Sequence, residues 1–238
     1  MTTRGMLLAA GLVLVLAGCS TASPPALQDF AEQSPPAPLA DSATQPGYVG
    51  LIDADWADSV AEATGIPRQA VLAYAAGALR AAEVYPDCGI GWNTLAGIGL
   101  TESDHGQHDG SSIQPDFRVE PPIFGVVLDG GATENIPDTD GGAVDGDAEY
   151  DRAVGPMQLL PSTWASWPSD GNGDGVPDPQ NIADAAIAAA NHMCRAAGDM
   201  TTPDGWRDGI AAYNSGSDYL DKVATAAQKY GAEAAAVN

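Results

Sequence analysis

The chain has 238 residues, with 9 Lys+Arg against 32 Asp+Glu, a formal net charge of −23 and 3 Cys. That length gives one large domain or two small ones, with enough chain to bury a core. The acidity argues against a nucleic-acid partner, whose phosphates it would repel, and against charge-driven adhesion to an anionic membrane surface.

Met1–Arg4 carries one positive charge, and Gly5–Ala17 is an apolar run too short to span a bilayer. The run ends in Leu16-Ala17-Gly18-Cys19, the pattern of a bacterial lipoprotein signal. On that reading residues 1–18 are removed and Cys19 is lipidated, giving an extracytoplasmic protein anchored to the cell membrane through lipid. The alternative is an ordinary secretory peptide, and both readings export the protein. Residues 19–46 are rich in Pro, Ala, Ser and Gln and read as an extended, disordered tether. A folded domain is expected over 47–238.

Within it, Trp56, Val60 and Ala63–Thr64 point to a short first helix. Gly65-Ile66-Pro67 opens a longer one, with Val71, Leu72, Ala75, Ala78 and Leu79 at helical spacing through about Val84. Pro86-Asp87-Cys88-Gly89 stops it. From Trp92 to Leu100 the residues are nearly all apolar or small with no single polar face, which describes a buried helix. That run ends at Glu102, followed by Ser103, Asp104, His105 and Gly106. A Glu partly inside a low-dielectric helix end resists ionisation, which suits a general acid near neutral pH. The plainer alternative is a surface Glu in a last turn.

Residues 111–150 are rich in Pro, Gly and Asp, with one apolar run at Ile123–Leu128 that reads as a strand. So long a connection inside a domain is functional or disordered, and it is expected to wall a groove. Pro161–Trp164 starts a short helix, Ile182–Ala197 is Ala-rich and helical, and Gly205–Tyr213 and Asp218–Tyr230 complete the set. The expected fold class is mainly α (α+β), with a short β element. No repeat is visible, which excludes a solenoid.

Three segments carry chemistry: Leu95–Gly106 (LAGIGLTESDHG), Ala153–Trp164 (AVGPMQLLPSTW) and Ala212–Tyr219 (AYNSGSDY). A buried helix ending in Glu-Ser, a Gly-Pro-Met-Gln segment and an Ala-Tyr-Asn segment, in this order, resemble the lytic murein transglycosylases. The resemblance is to the membrane-bound lytic transglycosylase B branch of that lysozyme-like group, over about Ile66 to Tyr230. It implies a lysozyme-like domain that cleaves the bond between N-acetylmuramic acid and N-acetylglucosamine in peptidoglycan strands. Glu102 would be the single acid and base, closing a 1,6-anhydro ring on the muramic sugar. It further implies that Gln158, Tyr213 and Asn214 contact substrate; Ser103 and Tyr219 are further candidate contacts, and a monomer is expected. The plainer alternatives are that Gly155 and Pro156 only shape a turn and that Tyr213 is a core tyrosine with a satisfied hydroxyl. Where that branch commonly has a serine before this glutamine, the chain has Glu149. Glycoside hydrolysis needs a second carboxylate, and Asp104, Asp109 and Asp116 are candidates, so a hydrolytic muramidase and a non-catalytic wall-binding protein stay open.

Asp170-Gly-Asn172-Gly-Asp174-Gly175-Val176-Pro-Asp178 matches the first part of an EF-hand-like calcium loop. Asp170, Asn172, Asp174 and the Val176 carbonyl occupy positions one, three, five and seven, and the twelfth is Asn181 rather than a bidentate Glu. The expectation is a weak, structural calcium site, completed by Asp178 or Asp184, which the B-branch resemblance also implies. The alternative is an acidic turn without metal. His105 and His108 beside Asp104 and Asp109 lack a zinc pattern. With Cys19 lipidated, Cys88 and Cys194 remain as an even pair, expected as a disulfide in an exported protein; two free buried thiols are the alternative.

Overall fold

A computed structural model describes Met1 and residues 29–237. Cys19 and the signal segment lie outside the described residues. The helices are α1 (Ala54–Thr64), α2 (Arg68–Val84), α3 (Trp92–Ser103), α4 (Pro161–Ser166), α5 (Ile182–Ala197), α6 (Pro203–Tyr213) and α7 (Ser217–Ala235). Two small antiparallel pairs lie between α3 and α4: β1 (Ser112–Ile113) with β2 (Val119–Glu120), and β3 (Phe124–Val127) with β4 (Arg152–Val154). The protein is thus mainly helical with a small strand content, and the apolar run at 123–128 supplies β3.

The helices start where short polar side chains reach free backbone N–H groups. Asp53 caps α1 by accepting from Trp56 N, Thr202 caps α6 from Gly205 N ahead of Pro203, and Asn181 caps α5 from Ala183 N. The core forms around α3, whose residues from Trp92 to Gly99 are all buried. It packs against α2 on one side and α7 on another, while α2 packs along α5. Gly97 permits the α3–α7 approach: a Cβ there would sit 2.8 Å from the Val223 carbonyl oxygen. Fully buried side chains such as Leu95, Ile98, Met193 and Ile210 each contribute roughly 1.5–3 kcal/mol of burial. Cys88, in the turn before α3, is bonded to Cys194 of α5, and both are buried.

The Pro/Ala-rich segment was expected to stand free through residue 46. From residue 29 onward it is instead laid along the domain. Gln33 Oε1 accepts from Gly91 N at 2.5 Å and from Thr94 Oγ1 at 2.9 Å, at the start of α3. Asn93 reaches back to it, accepting from Ser34 N at 2.8 Å and donating to the Glu32 carbonyl at 2.9 Å. Phe30 meets Trp206 edge-on, Asp29 pairs with Arg207, Ala31 is fully buried, and Leu39 pairs with Ile52. The segment has no helical or strand period, yet its Gln33 side chain takes the N–H of Gly91 where α3 begins, and its backbone at Glu32 and Ser34 holds the Asn93 side chain.

Candidate active site

α3 ends by turning sharply. Asp104, His105 and Gly106 all have left-handed backbones (φ 51°, 57° and 81°), and His105 N returns to the Gly99 carbonyl at 2.9 Å. This leaves Glu102 half-buried in the last turn. Burial raises its carboxyl to about 7, against the ordinary value of 4.5, and the Tyr219 hydroxyl, which donates to Glu102 Oε1 at 2.6 Å, pulls the other way. The Tyr219 hydroxyl in turn is pushed far up, first by its own burial and then by the Glu102 charge. No carboxylate contributes to the Glu102 shift. Asp104 and Asp109 are exposed, with Asp109 beside His108, and Asp116 accepts from Arg118 N.

The three motif segments meet at this point. Ser103 Oγ donates to the Pro156 carbonyl at 2.6 Å and accepts from Gly106 N at 2.8 Å. Tyr213, the last residue of α6, donates to the Met157 carbonyl at 2.5 Å. Burial pushes the Tyr213 hydroxyl well up, with the Glu102 charge as the next cause. The end of α3 and the end of α6 therefore grip the same Gly-Pro-Met-Gln turn. Gly155 makes that turn possible: its φ is 73°, and a Cβ would lie 1.8 Å from the Pro179 carbonyl oxygen. The turn is also tied to the long connection, since Gly155 N donates to the Ile123 carbonyl and Gln180 brackets Ile123 with both ends of its amide.

The side chains expected on substrate divide. Gln158 is half-buried, donates to the Gly155 carbonyl at 2.9 Å and lies against Gly125 of β3, so it lines the wall made by the β3–β4 pair. Tyr219 is Glu102's partner. Ser103 is 2% exposed with its hydroxyl engaged twice, so it positions the 155–158 turn and is not open to a ligand. Asn214 is exposed, and its Oδ1 accepts from Gly216 N at 3.0 Å in the α6–α7 turn. His105 is buried between the Tyr74 hydroxyl (3.0 Å from Nδ1) and the Tyr230 hydroxyl (2.8 Å from Nε2), and burial lowers it to about 4, so it is a neutral strut. Nothing in the spacing of Tyr74, His105 and Tyr230 announced that chain, because the three lie on different elements.

The 170–184 loop is ordered by its own oxygens. Asp170 accepts from the N–H groups of Gly173, Asp174 and Gly175, and Asp174 from Val176 N. Asn172 donates to Asp174 and to the Asp116 carbonyl. Asp178 is paired with Arg118 at 3.1 Å, and Asn181, expected at the twelfth position, is the cap of α5. Those two side chains are committed elsewhere. Asp184 is fully buried, accepts from Gly171 N and Asp178 N, and is raised to about 7 mainly by burial, with the Asp170 charge also raising it. Among the described residues the carboxylates that converge most closely are instead Asp138, Asp140 and Asp151, with oxygens within 4.8 Å of one another, a group that could hold a metal ion. The Asp-Thr-Asp of 138–140 was its only signal in the sequence.

Removing the Tyr219 hydroxyl tests the pairing directly. The bond favours the ionised carboxylate, so Tyr219→Phe should raise Glu102 further and move the alkaline limb of any activity to higher pH. Activity should fall about ten-fold, as loss of one charge-assisted hydrogen bond implies. An unmoved pH profile would remove Tyr219 from the site.

No protein-family model, curated protein or solved structure matches the chain.

Proposed function

We propose that the protein is a lytic transglycosylase of peptidoglycan, exported, held to the cell membrane through lipid on Cys19, and active as a monomer. The observation that carries this reading is Glu102: a carboxyl raised to about 7 by burial alone, served by one tyrosine and influenced by no second carboxylate. A single acid that remains protonated near neutral pH fits a reaction in which the substrate supplies its own nucleophile. Glu102 would give its proton to the glycosidic oxygen as the bond to the muramic C1 breaks. The resulting carboxylate would then take the proton of the muramic 6-hydroxyl as that oxygen bonds to C1, leaving a 1,6-anhydro end. Tyr219 holds the carboxyl in place through both steps, and Gln158 offers an amide to sugar hydroxyls. Mass spectrometry of digested cell wall tests the proposal. Anhydro ends are expected; reducing ends would make the protein a muramidase, and no cleavage a wall-binding protein.

The same reading includes a structural calcium ion in the 170–184 loop, held by Asp170, Asn172, Asp174, the Val176 carbonyl and Asp184. The fit rests on Asp184, a fully buried carboxylate with the Asp170 charge beside it, an arrangement that a cation relieves. The ion takes no part in the chemistry. For a site of about 10⁻⁴–10⁻³ M, 5 mM calcium should stabilise the fold by about 1–2 kcal/mol. The melting temperature should rise accordingly, less with magnesium and not at all in Asp174→Ala. Equal melting curves with calcium and with chelator, on metal-free protein, would leave the loop an acidic turn.

A further inference from the structure

Beside the Glu102 site, the last turn of α3 and the outer face of α7 bound an open groove of about 460 Å³. Leu100 and Thr101 form one wall, and Lys222, Thr225 and Lys229, with Asp221 at the edge, form the other. Lys222 and Lys229 are the only two lysines in a chain of net charge −23. Most of the arginines are already committed to carboxylates: Arg68 to Asp58, Arg80 to Glu83, Arg118 to Asp178, Arg207 to Asp29 and Asp204. Lys229 shares an exposed ion pair with Glu233 at 2.9 Å, whereas Lys222 has no ion-pair partner among the described residues. Two cations brought to one groove of so acidic a protein mark it as the place where an anionic ligand is not repelled.

The groove's position and length narrow the ligand. Thr101 immediately precedes Glu102 on α3, and Lys222 follows Tyr219 by three residues on α7, so the groove lies between the two helices that carry the Glu102–Tyr219 hydrogen bond and runs along α7. Seven residues of helix separate the lysines by about 10 Å on one face. That is the span of about three residues of extended peptide. Leu100, 36% exposed, and the lysine stems add apolar surface to the groove.

We propose that this groove binds the acidic peptide branch carried by the muramic sugar of the strand, with branch carboxylates meeting Lys222 and Lys229. The inference rests on the glycan-cleavage reading, which names the sugar at Glu102, and adds what the enzyme recognises beside it. It makes the protein selective for peptide-bearing strands over bare glycan.

The test compares wild type, Lys222→Gln and Lys222→Gln/Lys229→Gln on peptide-bearing strands and on strands stripped of peptide by an amidase. Both lysines are exposed, so the variants keep the fold. The double variant should raise KM on peptide-bearing strands about three- to ten-fold, the scale of two exposed charge contacts, with kcat unchanged and bare strands cleaved as by wild type. Equal loss on both substrates, or none on either, overturns the proposal. Should wild type cleave neither, the glycan-cleavage reading fails by itself. The groove is then judged by titrating the free tetrapeptide branch into ¹⁵N-labelled protein: shifts centred on Lys222 and Lys229 support it, and their absence overturns it.

Discussion

Glu102→Gln is expected to lose about 10²–10⁴-fold in muropeptide release, the usual worth of a general acid, while still binding glycan. The amide keeps the shape and can still accept from Tyr219, but it has no proton to give. In the wild type the proton is lost as pH rises through about 7, so activity should fall on that limb. Stability should change in the same sense. The folded carboxyl holds its proton to about 7 and the unfolded one only to about 4.5, so the folded state binds more protons between those values and stability falls as pH rises through them. At pH 8 the full penalty applies, up to about 3 kcal/mol for a shift of that size. The glutamine variant should therefore be more stable than wild type at pH 8 and nearly equal at pH 4. Asp184 has the same sign over a similar range, so the pH slope should shrink in the variant without vanishing. Wild-type release rates from Glu102→Gln, or identical melting temperatures at pH 8, would remove the acid from this position.

Replacing Cys88 and Cys194 together by Ala should give the largest loss of stability. The bond spans 106 residues, and closing a loop of that size restricts the unfolded chain by about 4–5 kcal/mol. A domain of this length should then melt roughly 10–20 °C lower. Cys88 is 1% exposed and Cys194 3%, so a reductant should act slowly on the native protein and match the double variant only after unfolding. The Glu102–Tyr219 pair lies at the far end of α3 from Cys88, so the variant should keep the wild-type pH profile at low temperature. A melting temperature within 2–3 °C of wild type would mean that packing of α3 against α5 and α7 already supplies what the bond is credited with.

The helices were legible where composition and boundaries agreed. Ile182–Ala197 was read from an Ala-rich run, and its limits are those of α5 because Asn181 caps one end and Gly198 the other. α3 was legible as buried because an apolar run with no polar face has only one stable environment. α7 extends five residues beyond the expected end at Tyr230, as Ala-rich turns with high helix propensity can. Segment 29–46 was not legible: its contacts include the Gly91 N–H and the Asn93 side chain, nearly sixty residues away, and Trp206 and Arg207, farther still, with no pattern in the segment itself.

For the site, the sequence by itself determined the candidates: a carboxylate ending a buried helix, a glycine-shaped turn at 155–158, a cysteine pair and an oxygen-rich loop. Only the tertiary structure decided which side chains face open space. Ser103 stands beside Glu102 and Tyr213 beside Asn214, yet Ser103 is buried against Pro156 and the Tyr213 hydroxyl is taken by the Met157 carbonyl, while Asn214 is exposed. Asn181 and Asp178 lie at plausible metal-ligand spacings, yet a helix N-terminus and Arg118 claim them first, leaving Asp184. The physical reason is common to all of these. Local sequence sets backbone propensity and side-chain chemistry, but burial raised the Glu102 carboxyl, and burial is conferred by helices far apart in the chain. The two lysines could be counted from the sequence; that they share one groove beside Glu102 follows only from the packing of α7 on α3.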